Sequence, residues 1–222
     1  MNGRYKMSVE ENIFYAKRNI VDSIYREAKL EGIAVTFPET LEIYEGRTVS
    51  GVSVEDTVKI NNLKHAWQFV LNTIDCNCSL LYIRQINQFV QAGITGASPG
   101  VIRNFQVSIG GTAWKPEIPD AAKAQEKISE IMSESGNPAD KAVTLMLYLM
   151  RAQLFGDGNK RTAQIAANQV MIQNGQGIIS LPAEKTKEFT EMLVKFYETD
   201  DMSELKQFIY ENCIDGIEHL PE

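Results

Sequence analysis

The residues that could do chemistry lie together at 155–161, Phe-Gly-Asp-Gly-Asn-Lys-Arg. Gly156 and Gly158 let the backbone bend and approach a ligand closely. A helix starting just after them turns its free N–H groups back on the loop, which favours an anion there. Lys160 and Arg161 add positive charge to that first turn, the opposite of what the helix dipole prefers. A bound polyphosphate would give this placement a reason. Asp157, amid that charge, can hold a Mg²⁺ ion on the phosphates, and Asn159 can both donate and accept hydrogen bonds. The chemistry is that of a nucleotide–magnesium site. Gly-Asp-Gly-Asn is equally an ordinary turn between two helices, and the glycine preferences alone do not decide between the readings. There is no Gly-Lys-Ser/Thr and no βαβ unit, so this is neither the NTPase phosphate loop nor a dinucleotide fingerprint.

The elements that must position this loop are mostly helical. Ile13, Ile20, Ile24 and Leu30 recur at helical spacing and predict one helix from about 8 to 31, stopped by Gly32. Residues 32–51, punctuated by Pro38, Gly46 and Gly51, read as a connection with at most one short turn of helix. Ser53 reads as an N-cap for a helix through Val58, Leu63, Trp67 and Val70, and another helix is expected at 79–91. Phe105, Val107 and Ile109 alternate with polar residues ahead of Gly110-Gly111, a short β-hairpin signal. Helices resume at 120–133. Asn137-Pro138 caps the next one, which leads into the loop. A further helix runs from the loop to about Asn174, and two more fill 182–198 and 203–212. The expected fold is all-α, with one short hairpin, no internal repeat and no composition break.

The totals exclude several classes. The chain has 222 residues, 44% of them apolar, enough for a real core. Its net charge is −7 with no strongly basic stretch, so nucleic acid is not the expected partner. Cys76, Cys78 and Cys213 form no CxxC pattern, which argues against a zinc site or a disulfide framework. No apolar run nears the ~20 residues a bilayer requires, and the expectation is a soluble cytoplasmic protein without a membrane partner. The only histidines are His65, which reads as structural, and His219, in an expected frayed tail.

The loop resembles the core motif of the Fic/Doc family, His-x-Phe-x-Asp/Glu-Gly-Asn-Gly/Lys-Arg-x-x-Arg. The match lies in Phe155, Asp157, Gly158, Asn159, Lys160 and Arg161. Upstream, residues 100–119 resemble the family's flap, whose edge docks a target peptide by strand addition. The resemblance implies a Fic-like helical bundle with a β-hairpin flap over the active-site loop. It divides the chain into an N-terminal helix and inhibitory segment (1–52), a Fic-like core (53–174) and C-terminal helices (175–222). It implies ATP or a related nucleotide with Mg²⁺ as cofactors, and AMP transfer from ATP to a protein hydroxyl. Asp157 would hold the metal. Gly158, Asn159, Lys160, Arg161 and the residue at Gln164 would meet the nucleotide. Phe155 would pack inward, and Val107, Ser108, Ile109 and Gly110 would dock a protein target.

Two positions depart from the pattern. The family's histidine, the general base, falls on Gln153, and an amide has no usable basicity near neutral pH. The family's last arginine falls on Gln164, which removes a charge-assisted contact to phosphate. The activity is therefore expected to be impaired or altered, and the alternative is an inactive pseudo-Fic acting as a protein-interaction or nucleotide-sensing module. Residues 41–58 resemble the family's inhibitory segment, with Glu45-Gly46 as its Glu-Gly pair. Glu45 is thus the candidate inhibitory acid, but Gln164 cannot form the family's ion pair with it, and the alternative is a solvated surface glutamate before a turn. Trp114 is expected to be a partly buried support for the flap.

Overall fold

The structure is a computed structural model that describes residues 3–218; His219 lies outside them. The two helices that flank the loop form the centre: α7 (Pro138–Ala152) before it and α8 (Asn159–Gln173) after it. They pack against each other, and α1 (Val9–Arg18), α4 (Val54–Asn72) and α5 (Leu80–Val90) close around α8. Every residue of α8 from Arg161 to Ile172 is buried. A helix buried on all sides must give its polar side chains partners. Asn168 brackets Ile179 through both its backbone groups, at 2.9 and 2.7 Å. Gln169 donates to the carbonyls of Ile74 and Cys76. Asn87 of α5 donates to the Thr162 hydroxyl at 3.1 Å.

The outer elements are α2 (Ile20–Leu30), α3 (Phe37–Tyr44), α6 (Ala121–Ser133), α9 (Thr186–Thr199) and α10 (Ser203–Asn212). Their starts follow side-chain caps where the sequence offers them. The Ser53 hydroxyl accepts the Asp56 amide at 3.0 Å, Asp120 accepts two first-turn amides of α6, and Asn137 accepts the Ala139 amide. One apolar core runs through all these helices, with Ile24, Trp67, Ile86, Leu145 and Phe196 buried in it. Among the described residues, no helix is long and apolar enough to cross a membrane.

Three expectations need correction in detail. The single helix of 8–31 is two, because the chain breaks at Asn19, whose side chain turns back onto the Tyr15 carbonyl. The connection of 32–51 contains α3, two turns long. Pro38 lies in its first turn, where a missing N–H costs nothing, and Thr36 with Glu39 forms a capping box. The all-α bundle stands, and the segment around 105–111 does lie over the loop, but without a ladder of its own. Val107 and Ile109 turn inward and alternate with exposed neighbours, while Phe105, the first residue of the pattern, is 53% exposed. The returning arm carries Pro116 and Pro119, which have no N–H to donate to a partner strand. Side chains close the flap instead: Gln106 donates to the Pro116 carbonyl at 2.6 Å. The paired strands lie elsewhere, with β1 (Ile178–Ile179) antiparallel to β2 (Ile214–Asp215).

Candidate active site

α7 ends on Gln153, which takes a left-handed conformation with φ 46° and ψ 56°. That conformation costs a residue with a Cβ about 1–2 kcal/mol. Three contacts hold it. Arg103 Nε donates to the Gln153 carbonyl at 2.6 Å, Gln153 Nε2 donates to Met150 O at 2.7 Å, and Asn159 Nδ2 donates to Gln153 Oε1 at 3.1 Å. Phe155 is buried, as expected, and its backbone forms an antiparallel bridge with Ile102. Asn159 clamps that backbone from both sides, accepting from Phe155 N at 3.0 Å and donating to Phe155 O at 2.8 Å. Its side chain therefore shapes the loop from below.

Gly158 caps α8 at φ 75° and offers no side chain to the first-turn amides. A Cβ there would sit 2.4 Å from Gln91 Nε2 and 2.9 Å from Val90 Cγ1. Gly158→Ala is expected to lower stability by about 2–5 kcal/mol, the sum of a left-handed alanine and overpacking. Thermal denaturation checks this, and an unchanged midpoint would mean the loop sits differently.

The cations of the first turn meet carboxylates. Arg161 is buried, with Nη2 3.2 Å from Asp157 Oδ2 and Nε 3.3 Å from Glu31 Oε2. Lys160 Nζ reaches the Leu30 carbonyl at 3.2 Å and Glu31 Oε1 at 3.5 Å. Glu31 and Asp157 thus supply the anionic charge that this first turn calls for. Burial pushes the Asp157 carboxyl up. Arg161, the Gly158 amide, Gln91 and Lys59 together outweigh this and hold it below its ordinary value. Gln164 is buried beneath the loop, and its amide nitrogen has no partner.

Sequence reasoning missed Glu31 and offered Glu45 as the candidate acid, with a solvated surface glutamate as the alternative. Glu45 instead pairs with Arg47 at 2.9 Å on an exposed turn and is not part of the pocket wall. The two acids are the ends of two Glu-Gly pairs, 31–32 and 45–46, so the dipeptide was a usable signal at either place. What separates them is where α2 and α3 end. α2 runs straight to the loop, and its last turn delivers Glu31 to Arg161.

A second acid on α2 lies one turn back. Glu27 is buried, and Trp67 Nε1 donates to its Oε1 at 3.1 Å, while Oε2 has no partner. Burial pushes its carboxyl up to about 8, with Glu31 adding to the rise and Trp67 and Arg161 opposing it. Between the ordinary value of 4.5 and about 8 the folded chain holds a proton that the unfolded chain has released. Stability is then full below the lower value and falls as pH rises toward the upper one. Glu27→Gln keeps the Trp67 bond and removes this dependence. The variant should match the parent near the lower pH and exceed it by about 2 kcal/mol or more near the upper. Denaturant unfolding across pH measures this; a constant gap would contradict it.

The loop, the flap and α9 enclose a cavity of about 370 Å³. Val107, Ser108, Ile109 and Gly110 of the flap form one wall. Glu31, Gln153, Gly156, Asp157, Asn159 and Lys160 form the floor. The third wall, Thr190, Leu193, Val194 and Tyr197 of α9, was not foreseen, because an i, i+3, i+4, i+7 stripe reads first as core. Gly158, Arg161 and Gln164 lie behind the lining. Burial drives the Tyr197 phenol far above its ordinary value, so it stays protonated at neutral pH. Trp114 is half-buried and supports the flap, stacked on Tyr197 at 5.7 Å and under the Arg151 guanidinium at 4.6 Å.

These features define an all-α bundle in which a central helix presents an anion-seeking N-terminus beneath a flap. Residues 77–171 match the family model for the Fic/DOC family. Over 182 residues the chain is 26% identical to protein adenylyltransferase fic-1 of Caenorhabditis elegans, covering 75% of this chain and 34% of that protein. It is 23% identical over 193 residues to protein adenylyltransferase Fic of Drosophila grimshawi, covering 84% and 40%. The chain thus spans well under half the length of these relatives. Its fold is similar to that of a Fic-1 fragment from C. elegans, with a TM-score of 0.79 at 18% identity over 90% of this chain and 62% of that one. A Fic-domain signalling protein from Bacteroides thetaiotaomicron is similar too, with a TM-score of 0.74 at 17% identity over 90% and 80%.

Proposed function

We propose that the cavity binds ATP or a related nucleoside triphosphate with Mg²⁺, and that the chain serves AMP transfer to a hydroxyl of a protein target docked along the flap. The observation that carries this is the composition of the pocket. Apolar walls from Val107, Ile109, Leu193 and Val194 suit a planar base, and a floor with Asp157, Lys160 and the uncapped start of α8 suits phosphates. Asp157 fits the metal. Its carboxylate is 60% exposed and is oriented through Oδ2 by Gln91 at 3.3 Å and Arg161 at 3.2 Å. Mg²⁺ is bound by one or two carboxylates plus phosphates, so no larger cluster is required, and among the described residues there is none. When bound, the ion would neutralise phosphate charge.

In the reaction a target hydroxyl oxygen would bond to the α-phosphorus as pyrophosphate leaves. The hydroxyl proton needs an acceptor. Gln153 offers an amide whose two ends are already bonded to Met150 and Asn159, and Tyr197 is protonated. Transfer by this chain would therefore be slow. The same observation favours a second reading, a nucleotide-sensing or protein-docking module without turnover.

Calorimetric titration with ATP, with and without Mg²⁺, tests the first part. Binding should require the metal and weaken about ten-fold or more in Asp157→Ala. Metal-independent binding, or equal binding by the variant, would refute the assignment.

A further inference from the structure

We infer that Arg103 is a positioning residue that fastens the flap to the loop, so that base and phosphate walls are held at one spacing. The inference rests on the nucleotide reading above. Arg103 is 3% exposed. Its guanidinium donates to three carbonyls from three segments: Nε to Gln153 O at 2.6 Å, Nη1 to Phe105 O at 2.6 Å and Nη2 to Glu117 O at 2.5 Å. Phe105 and Glu117 are the two ends of the flap, and Gln153 is the left-handed cap of α7. The Arg103 amide also donates to Leu154 O at 3.0 Å, beside the Ile102–Phe155 bridge.

A buried cation is normally kept beside a carboxylate. No ion pair involves Arg103 among the described residues, and burial alone lowers its pKa. The charge is met by backbone dipoles only. A flap without a ladder has few ties of its own, and this fork spans both its ends and the loop at once. The rigid donor fork does what a lysine cannot, since one ammonium cannot reach three diverging carbonyls with the same geometry.

The test uses Arg103→Lys and Arg103→Met in the full chain, with Mg-ATP and Mg-tripolyphosphate as probes. Both variants should lose about ten-fold in ATP affinity, while tripolyphosphate, which needs only the floor, changes less than about two-fold. Trp114 supplies a second readout. Trp67 is fully buried, so collisional quenching of tryptophan emission reports on Trp114. Quenching should rise in both variants as the flap loosens. Equal loss of both ligands, loss of neither, wild-type behaviour of Arg103→Lys, or unchanged quenching would each overturn the inference. If the parent chain binds neither probe, the nucleotide reading is what fails, and the quenching result alone decides whether Arg103 fastens the flap.

Discussion

Glu31→Ala is expected to raise the affinity for Mg-ATP by about 10- to 100-fold. The two carboxylate oxygens of Glu31 face Lys160, which lines the pocket floor and would meet a phosphate, and Arg161 directly behind it. The pair is largely buried, with Glu31 at 14% and Arg161 at 1% exposure, so water screens it little. A ligand phosphate must displace or share this contact. Ion pairs of this kind oppose displacement by about 1–3 kcal/mol, which sets the expected range. Some stability should be lost, because Arg161 keeps only Asp157 as a counter-ion. Calorimetry on the variant measures the gain. Unchanged or weaker affinity would show that Glu31 does not occupy the phosphate position. Glu45→Ala is the control and should leave affinity as it is, since its carboxylate is spent on Arg47.

Gln153→His is expected to raise turnover by about 10²–10⁴, the usual contribution of a positioned base. The site can accept the change. Histidine is among the residues enriched in the left-handed region that Gln153 occupies. The gain should grow as pH rises through the ordinary histidine range near 6.5, since only neutral imidazole takes the proton. Pyrophosphate release in the presence of a cell lysate measures it. An equally slow variant that still binds nucleotide would favour the module without turnover.

Much of this architecture was legible in local chemistry. Ser53, Asp120 and Asn137 start their helices because a short side chain that accepts an N–H is useful at that one position. The loop was legible for the same reason: the turn into α8 needs a left-handed φ, and Gly158 supplies it within a few residues of sequence. What was not legible depends on distant segments. Glu31 meets Arg161 from a distant part of the sequence, and only the direction of α2 chooses it over Glu45. Tyr197 and its α9 neighbours form a pocket wall because α9 packs beside the flap, while their spacing alone looks like ordinary core. The flap's alternation signalled the inward turn of Val107 and Ile109 but not that of Phe105, which is exposed. The flap's pairing failed on the return arm, and Arg103 took over that role from a position that sequence gave no cause to single out.

The most direct test of the account is label transfer by Gln153→His combined with Glu31→Ala, using ATP labelled in turn on the α- and the γ-phosphate, with a lysate as the source of target. Protein should be labelled from the α-phosphate and not from the γ-phosphate, and the label should be lost when Asp157→Ala is added. Label from the γ-phosphate, or no label from a variant that demonstrably binds Mg-ATP, would contradict it.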